Sequence, residues 1–194
     1  MDSKQDGAPS APQAPQRPCA QLAKLFEALP QVPLEEVPQI DLYMDQVTTL
    51  IEQRMDWMRR NPGDKLLTKT MINNYTKDGV LPPPEKKKYS PRHLVDILLV
   101  YHLKQVLSIQ DIGRLLGGMH QLPDQELFAL YDRFLQVQRQ QGQTVARQFL
   151  DTSATAQQMR EAALELAARA EVEKLLSERL LDLAARQGEP KQAP

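Results

Sequence analysis

The stretch TKTMINNYTKDGVLPPPEKKKYS, Thr68 to Ser90, decides how the chain folds. Thr68 is placed to cap a helix running to about Asp78, because a threonine oxygen can accept a backbone N–H that the first turn leaves unpaired. Gly79 then stands where a left-handed residue ends a helix. Inside that helix Met71, Ile72 and Tyr75 form one stripe, which leaves Thr70, Asn73, Asn74 and Lys77 on the other side. Three prolines, 82–84, stiffen the chain into an elbow, and Lys86, Lys87 and Lys88 follow as a basic strip. Ser90 reads as the next N-cap, with Pro91 at the first helical position, where its missing N–H costs nothing.

The same reasoning extends outward. Met44, Val47, Leu50, Ile51, Met55 and Met58 recur at helical spacing, and NPGD at 61–64 ends that helix. After Pro91, Leu94, Ile97, Leu98 and Tyr101 predict a helix to about Val106. Ser108 caps a short element that Gly117 and Gly118 are expected to terminate. A further amphipathic helix starts at Asp124, with Leu127, Leu130, Phe134 and Val137 on one side. The Ala/Leu/Glu/Arg segment from about Thr155 to Arg186 has high helix propensity, but its apolar period is too irregular for a coiled coil. Upstream, AQLAKLFEALP can form a short amphipathic piece, and Pro33 and Pro38 favour an extended connector. The Pro/Gln/Ala-rich start lacks apolar periodicity and is expected to be disordered.

Composition narrows the function classes. The 194-residue chain has one cysteine, Cys19, so no disulfide can form within it and no thiolate cluster can hold a metal. No apolar run approaches the ~20 residues that span a bilayer, and the start does not look like a signal peptide. A soluble, cytoplasmic protein without membrane contact is therefore expected. The net charge of −1 is unevenly spread: residues 54–104 carry 11 basic and 5 acidic groups, or +6, between flanks of −5 and −2. Only this middle third could attract a polyanion; by charge alone a solvated lysine-rich face fits as well. His93 and His102, nine apart on one predicted helix, face opposite ways and cannot share a metal. No nucleophile–base constellation, paired carboxylates or phosphate loop appears, and RLLGGMH lacks the Walker spacing. No enzyme, cofactor, catalytic residue or metal ligand is expected.

The stretch Ile72-Asn73-Asn74-Tyr75, then Gly79-Val80-Leu81, then Lys86-Lys87-Lys88-Tyr89-Ser90, and finally Ser108-Ile109 with Ile112, resembles the DNA-binding domain of MerR-type transcription regulators. The region from about Asp41 to Leu116 also resembles an uncharacterised family of Gram-positive bacterial proteins that share LYMDQVT, LTKTMINNY and PPPEKKKYS. The resemblance implies an all-α fold with a compact MerR-like winged helix-turn-helix at 41–118, in which the lysine strip is the wing. It differs from the usual pattern at Asn73 and Asn74, where Arg and Tyr commonly hold the phosphate backbone. Lysine in the wing is a point charge and does not form the bidentate fork of Arg.

These readings combine into one expectation. Residues 1–40 form a disordered tail and connector, 41–118 the winged domain, 119–187 a C-terminal helical region that dimerises or receives a signal, and 188–194 a disordered tail. Double-stranded DNA is the expected partner. Lys69, Lys77, Lys86, Lys87, Lys88 and Arg92 grip phosphate, Asn73, Asn74 and Thr70 read bases, and the Tyr89 phenol can reach phosphate although its ring reads as core. A homodimer through the C-terminal helices would place two units on a palindromic site. The competing class is a protein-interaction adaptor that keeps the winged fold without touching DNA.

Overall fold

The computed structural model describes residues 18–150 and 154–188, so the disorder expected at 1–17 and 189–194 falls outside the described residues. The described residues form seven α-helices and one small sheet: α1 (Pro18–Glu27), β1 (Leu42–Tyr43), α2 (Met44–Met55), α3 (Lys69–Lys77), β2 (Lys88–Tyr89), α4 (Pro91–Leu103), α5 (Ile109–Met119), α6 (Asp124–Phe149) and α7 (Ala156–Gly188). The protein is thus predominantly helical, in line with the all-α expectation. β1 and β2 pair antiparallel, with Leu42 opposite Tyr89 and Tyr43 opposite Lys88.

The centre of the molecule is α4. Every residue from Leu94 to His102 is buried, and a helix apolar nearly all round can only be stable when surrounded. Val47, Ile51 and Met55 of α2, Ile72 of α3, Ile112 and Leu116 of α5, and Leu127, Tyr131 and Leu135 of α6 belong to the same cluster. Val32 and Val37 join it from upstream.

This core overrides the expected boundaries at 40 and 118. Residues 18–40 are not a disordered connector, because the Tyr131 hydroxyl donates to Val32 O at 2.8 Å and Gln31 Nε2 donates to Leu135 O at 2.7 Å. Ahead of them, α1 lies on α6. The approach is so close at Gly142 that an added Cβ would stand 2.6 Å from Phe26 O and 2.7 Å from a Leu29 methyl. The first half of α6 likewise belongs to the core and not to a separate C-terminal region.

Arg92 explains the end of α5. That helix runs through Gly117 and Gly118 to Met119, and neither glycine has positive φ, so the expected glycine stop does not occur. Instead Arg92 Nη2 donates to Met119 O at 3.1 Å and His120 O at 3.0 Å, while Nη1 donates to Leu122 O at 2.8 Å and Asp124 Oδ1 at 2.6 Å. One guanidinium thus satisfies carbonyls the helix end leaves open and anchors the start of α6. Its planar fork reaches several acceptors at once, which a lysine cannot do.

One turn further along α4, Asp96 is fully buried and neither carboxylate oxygen has a hydrogen-bond partner. His120 Nε2 lies 3.9 Å from Asp96 Oδ2. Burial pushes the Asp96 carboxyl up to about 7, against the pull of the Arg92 charge and with a push from Asp124. Burial also lowers His120, and it takes His102 down to about 4.

Three outcomes follow from these contacts. Gly142→Ala forces α1 off α6 and should lower the urea midpoint by about 1–3 kcal/mol of stability. Arg92→Lys and Arg92→Met both strand part-buried carbonyls and should cost about 1–3 kcal/mol in the same measurement. Asp96 ionises above its ordinary 3.8 only when unfolded, and in the fold only near 7. Its contribution is therefore present below pH 4 and is lost as pH rises through 7. Asp96→Asn should thus stabilise the chain relative to wild type at pH 8, by roughly 3 kcal/mol. That gap should close towards pH 4, where the lowered histidines destabilise both proteins equally.

Candidate nucleic-acid interface

The local signals in Thr68–Ser90 form as read. The Thr68 side chain accepts from Met71 N, α3 ends at Lys77, and Gly79 has φ of 73°. Ile72 is buried while Thr70, Asn73, Asn74 and Lys77 are exposed. Their polar groups therefore face outward as a set, with Met71 and Tyr75 half-buried on the inner side.

The lysine strip is a tight turn. Lys88 N donates to Glu85 O at 2.8 Å, and the two central residues, Lys86 and Lys87, have φ of 48° and 65°. Positive φ at both central positions is the signature of a type I′ hairpin turn, which ordinarily selects Asn-Gly because an L side chain is strained there. Two adjacent lysines hold this conformation and project into solvent, both exposed. Strain of this kind concentrates at functional sites.

The elbow that leads into the turn is pinned by His93. Ser90 N donates to His93 Nδ1 at 3.2 Å, so the ring proton sits on Nε2, which donates to Pro83 O at 3.2 Å. The same histidine completes the capping box at the start of α4 and meets the Tyr89 ring edge-on at 5.9 Å. The elbow, the turn and the buried helix are thereby joined through one side chain.

The pairing of β1 with β2 gives the small sheet two faces. Leu42 and Tyr89 point into the core, and Tyr43 and Lys88 point away from it. Lys88 Nζ stands 5.5 Å above the Tyr43 ring. Asp45, two residues beyond Tyr43, forms an ion pair with Lys69 at the first position of α3. Through Lys69, Asp45, Tyr43 and Lys88, the start of α3 and the lysine turn are brought to neighbouring positions around the start of α2.

The structure sorts the expected site residues. Thr70, Asn73, Asn74, Lys77, Lys86 and Lys87 are exposed, and Lys88 is half-buried on its tyrosine. Among the described residues none of these four lysines has an acidic partner. Lys69 is already paired with Asp45. Two assignments are corrected. Arg92 does not face a ligand, because its guanidinium is consumed by the end of α5 and the start of α6. Tyr89 is buried against the core and cannot offer its hydroxyl to phosphate; burial also raises that hydroxyl above its ordinary 10.0.

Two residues escaped the sequence reading. Tyr43 is 54% exposed beside the turn, but a two-residue strand is too short to show alternation. The role of His93 is not legible either, since a histidine at the third position of a capping box has no strong sequence signature.

Fold and exposed groups together define a helical domain with a basic turn, anchored to a two-stranded sheet, set beside a short polar helix. The chain belongs to the family described as Domain of unknown function (DUF1836), which matches residues 32–134. The match ends at the centre of α6, so it takes in Val32 at one end and Tyr131 at the other, the two residues whose hydrogen bond closes the core. No curated protein and no solved structure matches the chain. No helix among the described residues is long and apolar enough to cross a membrane.

The strained turn makes its own prediction. The double substitution Lys86→Asn and Lys87→Gly relieves left-handed strain at two positions and should raise stability by about 1 kcal/mol, read as a higher thermal midpoint.

Proposed function

We propose that the protein is a DNA-binding transcription regulator, with a MerR-like winged helix-turn-helix whose helix is α3 and whose wing is the Glu85–Lys88 turn. The observation that carries this reading is a turn that holds two lysines in a strained conformation, with no acidic partner for either among the described residues. Other cations near the start of α2 and α3 are paired, as Arg54 is with Glu36 at 2.5 Å and Lys69 with Asp45. Lys77, Lys86, Lys87 and Lys88 then hold phosphates, with Tyr43 as a platform beneath Lys88. Asn73, Asn74 and Thr70 are the groups on α3 whose amides and hydroxyl could meet base edges. The corrected placement of Arg92 and Tyr89 reduces the phosphate grip and makes the wing the dominant contact. The working partner is duplex DNA in the cytoplasm, engaged by two copies joined through C-terminal helices.

The adaptor reading has one observation in its favour: two of the expected phosphate ligands, Lys69 and Arg92, are occupied within the protein. A binding series separates the two. With fluorescent duplexes of genomic fragments, a regulator should bind with log affinity falling by about three to four units per log unit of salt, as four phosphate contacts require. Lys86→Glu with Lys87→Glu and Lys88→Glu should lower affinity at least tenfold for every sequence, while Asn73→Ala with Asn74→Ala should flatten the preference among sequences. If no duplex is retained at any salt concentration, the regulator reading is wrong.

A further inference from the structure

Two apolar surfaces lack a partner among the described residues. The first is a ridge on α7, where Leu164, Val172, Leu176, Leu180 and Leu183 are 74%, 65%, 60%, 56% and 51% exposed. The second is a slot of about 270 Å³ between α4, α5 and α6, lined by Leu99, Leu115, Met119, Leu130, Phe134 and Val137, with Arg133 at its edge. The apolar period of the sequence puts Leu127, Leu130, Phe134 and Val137 on one side of α6. The buried face is instead Leu127, Tyr131 and Leu135, which leaves Leu130 and Val137 39% and 49% exposed on the slot.

The ridge does not fill the slot of its own chain. α7 is held by Arg114 to Asp182 at 3.7 Å, by Arg169 to Gln148 at 3.0 Å, and by Arg169 stacked on Phe149 at 5.0 Å. It packs on α5, yet none of its residues lines the slot. We infer that the α7 ridge of a second copy occupies the slot, reciprocally, so that two copies associate through two ridge-in-slot contacts while each α7 stays on its own chain.

Three features select a second copy over another partner. Length matches: Leu130 to Val137 covers seven steps of α6, about 10 Å, and Val172 to Leu180 covers eight steps of α7, about 12 Å. Charge is complementary at the rim. Arg133 has no ion pair or hydrogen bond among the described residues, and neither do the carboxylates of Glu171 and Glu173, which border the ridge on its two sides at helical spacing. Finally, α7 carries 5 basic and 6 acidic side chains over 156–188, so it neither repels its own copy nor favours a strongly charged macromolecule. Each large side chain contributes about 60–120 Å² when covered, and two reciprocal contacts reach on the order of 1,000 Å², the threshold for specific association.

The inference deepens the two-copy arrangement of the proposed regulator but does not depend on its DNA contact. The test is the mass and cross-linking of the full chain. Sedimentation equilibrium should give twice the chain mass, and both Leu176→Glu on the ridge and Val137→Glu in the slot should raise the dissociation constant at least tenfold. Both sites are exposed, and a retained thermal midpoint confirms folding. In a Cys19→Ser background, mixing a Val137→Cys chain with a Leu176→Cys chain should yield the mixed disulfide, while neither alone should cross-link efficiently. A monomer at all concentrations overturns the inference. So does efficient self-linking of the Leu176→Cys chain, which would mean ridge packs on ridge. A monomer that still binds DNA sinks the ridge-in-slot contact and spares the regulator; a dimer linked through the slot that binds no DNA does the reverse.

Discussion

The Arg92 guanidinium is the constraint on which the arrangement of the second half of the fold depends. Its four acceptors belong to the last turn of α5, the connection after it, and the first residue of α6. Two of them, His120 O and Leu122 O, would otherwise be open carbonyls, and each unmet hydrogen bond costs on the order of 1–3 kcal/mol. Because Arg92 is the second residue of α4, the clamp sets how α5 and α6 leave the central helix. It also stands next to the capping box that pins the proline elbow. The same few residues of chain therefore hold the core on one side and the lysine turn on the other.

That proximity explains why a charged residue close to the lysine turn does not join the exposed lysines. In a helical protein with few left-handed helix stops among its described residues, a side chain has to supply what a glycine would. The molecule accommodates strain elsewhere: two consecutive non-glycine residues keep positive φ in the turn, supported by the Tyr43–Lys88 stack and the short sheet. The neighbouring Asp96 is a second local conflict. Its buried, unpartnered carboxylate runs against the rule that buried polar groups are bonded, and it makes stability depend on pH through a residue remote from the exposed lysines.

The outer surface is less settled energetically than the core. α6 has two faces with different fates, one sealed by Val32, α1 and α4, the other bordering an open slot. A single period of apolar residues in the sequence covers both, so Leu127 and Leu130 look equivalent until neighbouring elements are placed. The same ambiguity applies to α7, where Leu166 and Leu181 are half-buried while Leu164, Leu176, Leu180 and Leu183 are exposed.

Local chemistry was legible where one residue acts on its own backbone. Thr68, Ser90 and Ser108 cap helices as their hydroxyls predict, Pro91 opens α4, and Gly79 takes the left-handed conformation, because each of these interactions spans only three or four residues. The exposed set Thr70, Asn73, Asn74 and Lys77 followed from the same helical period. What only the tertiary structure decided were contacts across long stretches of chain: Arg92 reaching residues 119 to 124, Tyr131 bonding Val32, Lys69 pairing with Asp45, and Tyr43 lying beneath Lys88. A sequence displays which groups can donate, accept or avoid water. It does not display which distant partner meets that need, since the partner is fixed by how the helices pack around α4.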